Sequence, residues 1–145
     1  MTLVDFYILP QADDDSRYQF LMKLATRAIG AGHRLYIHTD TEQIAQRLSE
    51  RLWQATSEDF LPNALPSDPH YAPIRLGWAE THLPEKPDML INLSIENPTG
   101  DASFARIAEI VTQADPILDI TRQRFKEYQN RGITPRMHDM RKRNR

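Results

Sequence analysis

The residues of this 145-residue chain that could do chemistry are few and scattered. Its five histidines, His33, His38, His70, His82 and His138, show neither HxxxH nor HExxH spacing, so no helix face offers paired imidazoles to zinc. There is no cysteine, which removes disulfides, thiolate metal sites and a sulfur nucleophile, and no GxSxG elbow to expose a serine. His38 closes a strand-like run, a position where open α/β sheets place active groups, and would need Asp40 or a distant carboxylate as its partner. A structural role for His38 has no such requirement. Asp13, Asp14 and Asp15 are three adjacent carboxylates, but a hard cation needs further convergent oxygens that this stretch does not supply. A helix N-terminus accounts for them more economically, because acids there meet unsatisfied amides and the positive end of the dipole. No catalytic constellation, cofactor or metal site emerges.

Two other groups of residues suit binding. Arg122 and Lys126 stand four apart, so a helix would carry both cations on one outward face, with Phe125 at its border. Cations beside an aromatic ring on a rigid helix can receive a short peptide that bears acids and a large apolar residue. An ordinary solvated helix face has the same spacing, and the residues alone leave both readings open. The second group is Trp53, Phe60 and Pro62. Trp53 lies about 125° round its helix from the apolar stripe of Ile44, Leu48 and Leu52. It is therefore either a docking surface or a side chain covered by the loop that follows.

The elements that must position these groups alternate between strand and helix. Leu3–Leu9 reads as a strand stopped by Pro10. Asp13–Ser16 then start a helix whose Leu21, Leu24, Ala25, Ala28 and Ile29 share one face and which Gly30 and Gly32 end. Arg34–His38 is a second strand, and the strand–helix–strand unit is expected to be a right-handed parallel crossover. Thr39, Asp40 and Thr41 cap the next helix, with Glu42 in its first turn. Gln54–Pro73 is expected to be irregular, Ile74–Trp78 a strand, Thr81–Asp88 a turn, and Met89–Ser94 a central strand. Asn97–Gly100 breaks the chain, Phe104–Val111 reads as a short turn and a strand, and Asp115-Pro116 starts a helix that runs to Asn130 or Arg131 before Gly132. Ile117, Ile120, Tyr128 and the aliphatic stem of Arg124 form its inner stripe. The pattern predicts a single three-layer α/β domain: a mostly parallel open sheet flanked by helices, with nucleotide-binding-like topology. The turn after the first strand has neither GxGxxG nor GxxxxGK[ST], so no phosphate loop is present and a nucleotide cofactor is disfavoured.

A chain of this length suits one domain, here residues 1–133, with a basic, flexible segment at 134–145 that has weak affinity for polyanions. The net charge of −2 hides an asymmetry. From Arg131 onward six basic residues face one acid, a net +5, which leaves −7 on the remainder. An acidic body argues against a protein that coats nucleic acid, whose basic surface should lie on the folded face. The N-terminus turns acidic after one strand-length run and resembles neither a signal peptide nor an anchor, and no apolar run approaches the roughly 20 residues that span a bilayer. A cytoplasmic protein with no membrane partner is expected.

Taken together, VDFYIL, GHRLYIHT, QRLSERLWQATSEDFLPNAL, DMLINLS and TRQRFKEYQNRG resemble the chi subunit family of the bacterial DNA polymerase III holoenzyme across essentially the whole domain. The resemblance implies a non-catalytic adaptor in DNA replication. Such a subunit joins psi, which tethers it to the clamp loader, and captures the acidic C-terminal tail of single-stranded-DNA-binding protein. Trp53, Phe60 and Pro62 match the family's psi-facing positions, a surface for which a helicase-like repair protein competes. Arg122, Phe125 and Lys126 match the helix that grips the tail, with Val111 as a nearby apolar contact. Phe125 stands where the best-known member has a tyrosine, and Leu118 where it has a lysine; Arg124 or Arg131 could supply the missing cation. Two readings of other classes are a nucleotide-dependent α/β enzyme and a direct binder of single-stranded DNA through the basic C-terminal segment.

Overall fold

The computed structural model describes residues 2–54, 61–66, 68, 72–78, 88–94 and 104–142. Among them seven strands build one open sheet: β1 (Leu3–Ile8), β2 (Leu35–His38), β3 (Asn63–Ala64), β4 (Ile74–Gly77), β5 (Met89–Asn92), β6 (Arg106–Val111) and β7 (Arg136–Asp139). Their order is β3-β4-β2-β5-β6-β1-β7, and every pairing is parallel. Three helices flank it: α1 (Asp14–Gly30), α2 (Glu42–Trp53) and α3 (Asp115–Asn130). The expected α/β class and three-layer build are therefore present. β1 and β2 are parallel as expected, but β5 and β6 lie between them.

A parallel sheet covered on both faces needs strands that are apolar on both sides. β2 and β5 are buried throughout, and strand alternation divides their side chains between two cores. Leu35, Ile37, Met89, Ile91, Ala108 and Ile110 point to one face, where they meet Leu21 and Ala25 of α1 and Ala45, Leu48 and Leu52 of α2. Val4, Phe6, Tyr36, Leu90, Ile107 and Val111 point to the other, under Tyr128 of α3. The helix ends follow the sequence. Asp13 accepts the Ser16 amide at 2.9 Å and Thr41 accepts that of Ile44 at 3.3 Å, while Gly32 takes a left-handed φ of +86° past the end of α1. Asp13 thus spends its oxygens on the helix cap, as the economical reading of Asp13–Asp15 expects.

Two expectations need correction. β3 falls inside Gln54–Pro73, a stretch read as irregular; Asn63 is held there by Ser49 of α2 and donates to the Leu61 carbonyl at 3.0 Å. More consequentially, Arg136–Asp139 is not part of a flexible tail. It pairs with β1 in register, Asp5 with Arg136 through Ile8 with Asp139, and a short 3-10 turn, Met140–Lys142, follows. The cause is Asp5, a carboxylate 1% exposed within an apolar strand, which cannot stay buried without donors. Arg136 Nη2 at 3.0 Å, His138 Nε2 at 2.8 Å and Arg106 Nη2 at 3.1 Å supply them. His138 also stacks on Tyr7 at 4.7 Å. The break expected at Asn97–Gly100 and the turn expected over Thr81–Asp88, up to Asp88 itself, lie outside the described residues. No described helix is long and apolar enough to cross a membrane.

Candidate functional site

The faces of α3 divide its cations into two kinds. Arg124 turns inward and is 7% exposed. Its Nη1 donates to Glu109 Oε1 of β6 at 2.7 Å and its Nη2 to the Ser94 carbonyl at 3.1 Å. Tyr128, one turn later, donates to the other carboxylate oxygen at 2.8 Å, and Asn92 reaches that oxygen at 3.4 Å. Burial pushes the Glu109 carboxyl above its ordinary value, against the opposite pull of Arg124, Tyr128 and Asn92. Arg124 is therefore committed to the domain's interior and is no substitute cation for a surface ligand. Arg131, the other candidate substitute, lies over the Tyr128 ring with its guanidinium carbon 5.0 Å from the centroid.

Arg122 and Lys126 face the other way. The Arg122 side chain is 77% exposed and its ion pair with Asp119, three residues earlier, spans 3.6 Å between exposed partners. Such a contact is soft and readily exchanged for another carboxylate. Lys126 is exposed. Phe125 is half-buried between these two and the sheet, its ring 5.9 Å from that of Phe6 on β1. Leu118, two turns earlier, is likewise half-buried against this core. Val111 belongs to the floor of the same region, but at 2% exposure it lies in the core beneath α3. The structure thus brings Arg122, Phe125 and Lys126 together on one flank and keeps Val111 below them.

The second group lies at the end of α2. Trp53 is the last residue of that helix and 42% exposed. Pro62 is half-buried between Leu61 and Asn63, and the Ser49–Asn63 contact holds this segment against α2 one turn before Trp53. Phe60 lies outside the described residues. α2 packs on β3 and β4 while α3 packs on β6 and the opposite face of the sheet, so Trp53 and Pro62 lie apart from Arg122, Phe125 and Lys126.

His38 is buried at 3%, with Nδ1 3.0 Å from the Tyr36 hydroxyl, and burial lowers its pKa. Its hydrogen-bond partner is thus a tyrosine of its own strand, which fits the structural role. The turn from β1 into α1 carries Asp13, Asp14 and Asp15 at the helix N-terminus. A phosphate placed there would meet negative charge in addition to the absence of a glycine cradle. Sequence reasoning missed the anchors Asp5 and Glu109. Each was visible as a single acid inside an apolar strand, in LVDFYIL and FARIAEIV.

The described residues thus form an open all-parallel α/β domain with cationic and aromatic side chains on one helix flank. The sequence pattern described as DNA polymerase III chi subunit, HolC, matches residues 1–136, and the chain belongs to that family of DNA replication proteins. It is 36% identical to DNA polymerase III subunit chi of Pseudomonas aeruginosa over 138 residues, covering 95% of this chain and 96% of the relative. The subunit chi of Haemophilus influenzae is 29% identical over 129 residues, 88% of this chain and 90% of the relative. That of Escherichia coli is 27% identical over 117 residues, 79% of this chain and 80% of the relative.

Proposed function

We propose that this protein is a non-catalytic, cytoplasmic adaptor of the replicative polymerase. In this reading it links the clamp loader, through psi, to the acidic C-terminal tail of single-stranded-DNA-binding protein. The observation that carries the proposal is the exposed Arg122–Phe125–Lys126 flank of α3, in which Phe125 is seated on Phe6 while both cations face solvent. A tail that ends in acids, an apolar residue and a chain-terminal carboxylate needs charges for the first and last and an apolar slot for the second. Arg122 can grip a carboxylate with two parallel hydrogen bonds; Lys126 acts as a point charge. Because each such exposed pair contributes only about 0–1 kcal/mol, the contact is of micromolar class and salt-sensitive. Several tails on one DNA-bound oligomer then add avidity.

Trp53, Phe60 and Pro62 serve psi in this reading, and a helicase-like repair protein competes for them. The half-exposed Trp53 ring supports that role, since a large aromatic at a surface is an economical anchor for a partner. The test is fluorescence titration of a tail peptide. Arg122→Ala and Lys126→Ala should each weaken binding without changing the fold, and unchanged affinity in both rejects the site.

A further inference from the structure

The orientation of α3 points its exposed flank toward one edge of the sheet. Arg124 reaches β6 and the end of β5, which fixes the rotation of the helix about its axis. Phe125 is about 100° further round and so turns toward β1 and the sheet edge beyond it, with Leu118 near the same angle and Arg122 further out. The strand at that edge is β7. Within β7, Arg136 and His138 point to the α1 face, where they meet Asp5 and Tyr7. Alternation therefore points Met137 to the α3 face. Met137 pairs with Phe6, the ring that Phe125 sits on, and adjacent strands are about 4.8 Å apart. Met137 is 48% exposed, a large apolar side chain one strand outward from the Phe6 ring on which Phe125 sits. The acid on the same side of the strand, Asp139, is neutralised by a two-bonded fork from Arg141 at 2.9 and 2.7 Å.

We infer that β7 is the second wall of the peptide groove, and that Met137 and Phe125 together clasp the large apolar side chain of an acidic peptide. This rests on the proposed tail-binding role of α3 and adds to it the element that selects the peptide's apolar residue. The occupant is argued from charge: Arg122 and Lys126 are exposed on the same flank, with Asp119 paired to Arg122 and Asp139 to Arg141, and the positive balance favours an acidic chain. A thioether is flexible and polarisable, and its contact with an aromatic ring is favourable, so Met137 can close on a ring-bearing side chain.

The test uses the full chain and two fluorescein-labelled peptides, one with three Asp residues and a C-terminal Phe, the other with Ala in place of that Phe. Met137→Ala, at an exposed position, should retain the parent's circular dichroism and melting. It should weaken the Phe peptide about three- to ten-fold and leave the Ala peptide within about two-fold. Arg122→Ala should weaken both peptides. If Met137→Ala leaves the Phe peptide unchanged while Arg122→Ala weakens it, β7 is not a wall and the α3 site stands. Equal losses for both peptides also overturn the clasp. If Arg122→Ala changes neither peptide, the underlying tail-binding reading falls as well.

Discussion

Arg122 and Arg124 are two residues apart on α3, and their substitution by alanine should fail in opposite ways. Arg124 is buried on Glu109, with side-chain exposures of 8% and 4%. Removing the guanidinium leaves a buried carboxylate without its ionic partner, a change that costs about 3–5 kcal/mol. Tyr128 and Asn92 still donate to Glu109, which places the loss at the lower end, about 3 kcal/mol. For a domain of this size each kcal/mol moves the melting midpoint by about 3–4 °C, so Arg124→Ala should melt about 10 °C below the parent. Arg122 contributes an exposed pair with Asp119, worth about 0–0.5 kcal/mol, so Arg122→Ala should melt within about 2 °C of the parent. Its effect belongs instead to the peptide, where losing up to about 1 kcal/mol weakens binding about two- to five-fold. Thermal melting followed by circular dichroism, with peptide titration well below each midpoint, separates the two. An Arg124→Ala variant that melts within about 3 °C of the parent while losing peptide affinity would refute this division of the helix.

The remaining predictions concern β7, the salt response and the α2 end. Burial pushes the Asp5 carboxyl up, but hydrogen bonds from His138, Arg136 and Arg106 outweigh it and hold its pKa below the ordinary value. A depressed carboxylate stabilises the fold above its unfolded pKa and ceases to as pH falls through the folded one, so the contribution is complete at neutral pH and lost progressively below about pH 4. Asp5→Asn should therefore lower stability by about 2 kcal/mol at pH 7, and its difference from the parent should shrink as pH falls below about 4; an offset that stays constant through acid denaturation contradicts the assignment. Raising salt from about 0.1 to 1 M contracts the screening length from about 10 to 3 Å and should weaken peptide binding several-fold, more in the parent than in an Arg122/Lys126 double alanine variant. Trp53→Ala and Phe60→Ala should abolish psi binding in a pull-down and leave the peptide titration intact; loss of both activities together with altered circular dichroism points to a core role instead.

Periodicity made most of the scaffold legible. The apolar runs of β2 and β5, the stripes of α1 and α2, and the caps Asp13 and Thr41 are local signals, and their structural outcomes are local too. The β6 strand emerged from an ambiguous FARIAEIV because Pro116 had to begin a new helix. What stayed hidden was decided by pairing across the chain. RMHDMRKRNR has the composition of a solvated tail, and nothing within it shows that Arg136 and His138 would meet an acid more than 130 residues earlier. Likewise the spacing turns the stem of Arg124 inward and Arg122 and Lys126 outward, but nothing near it in the chain shows that its guanidinium would be claimed by Glu109. The aromatic and cationic types at the candidate groove were readable from α3 alone; its opposite wall was not, because strand order at the sheet edge is a property of the whole fold.

Those two hidden acids also explain why the groove should have a defined width. Its helix side is fixed by Glu109, which takes one bond from Arg124 and one from Tyr128 and so sets both the rotation and the height of α3 over the sheet. Its strand side is fixed by Asp5, which draws in Arg136 and His138 and locks β7 to β1 in a register that places Met137 beside Phe6. Each carboxylate stands on a strand paired on both sides and holds a more peripheral element by charge-assisted hydrogen bonds, which are stronger and more directional than apolar contact. Apolar packing alone would tolerate sliding of α3 or a one-residue slip of β7. Such a slip would turn Met137 to the α1 face and remove the clasp. Cations that bind a partner must stay in water, and those that position the binding surface must leave it. The sequence places both kinds on the same helix, and the buried acids decide which is which.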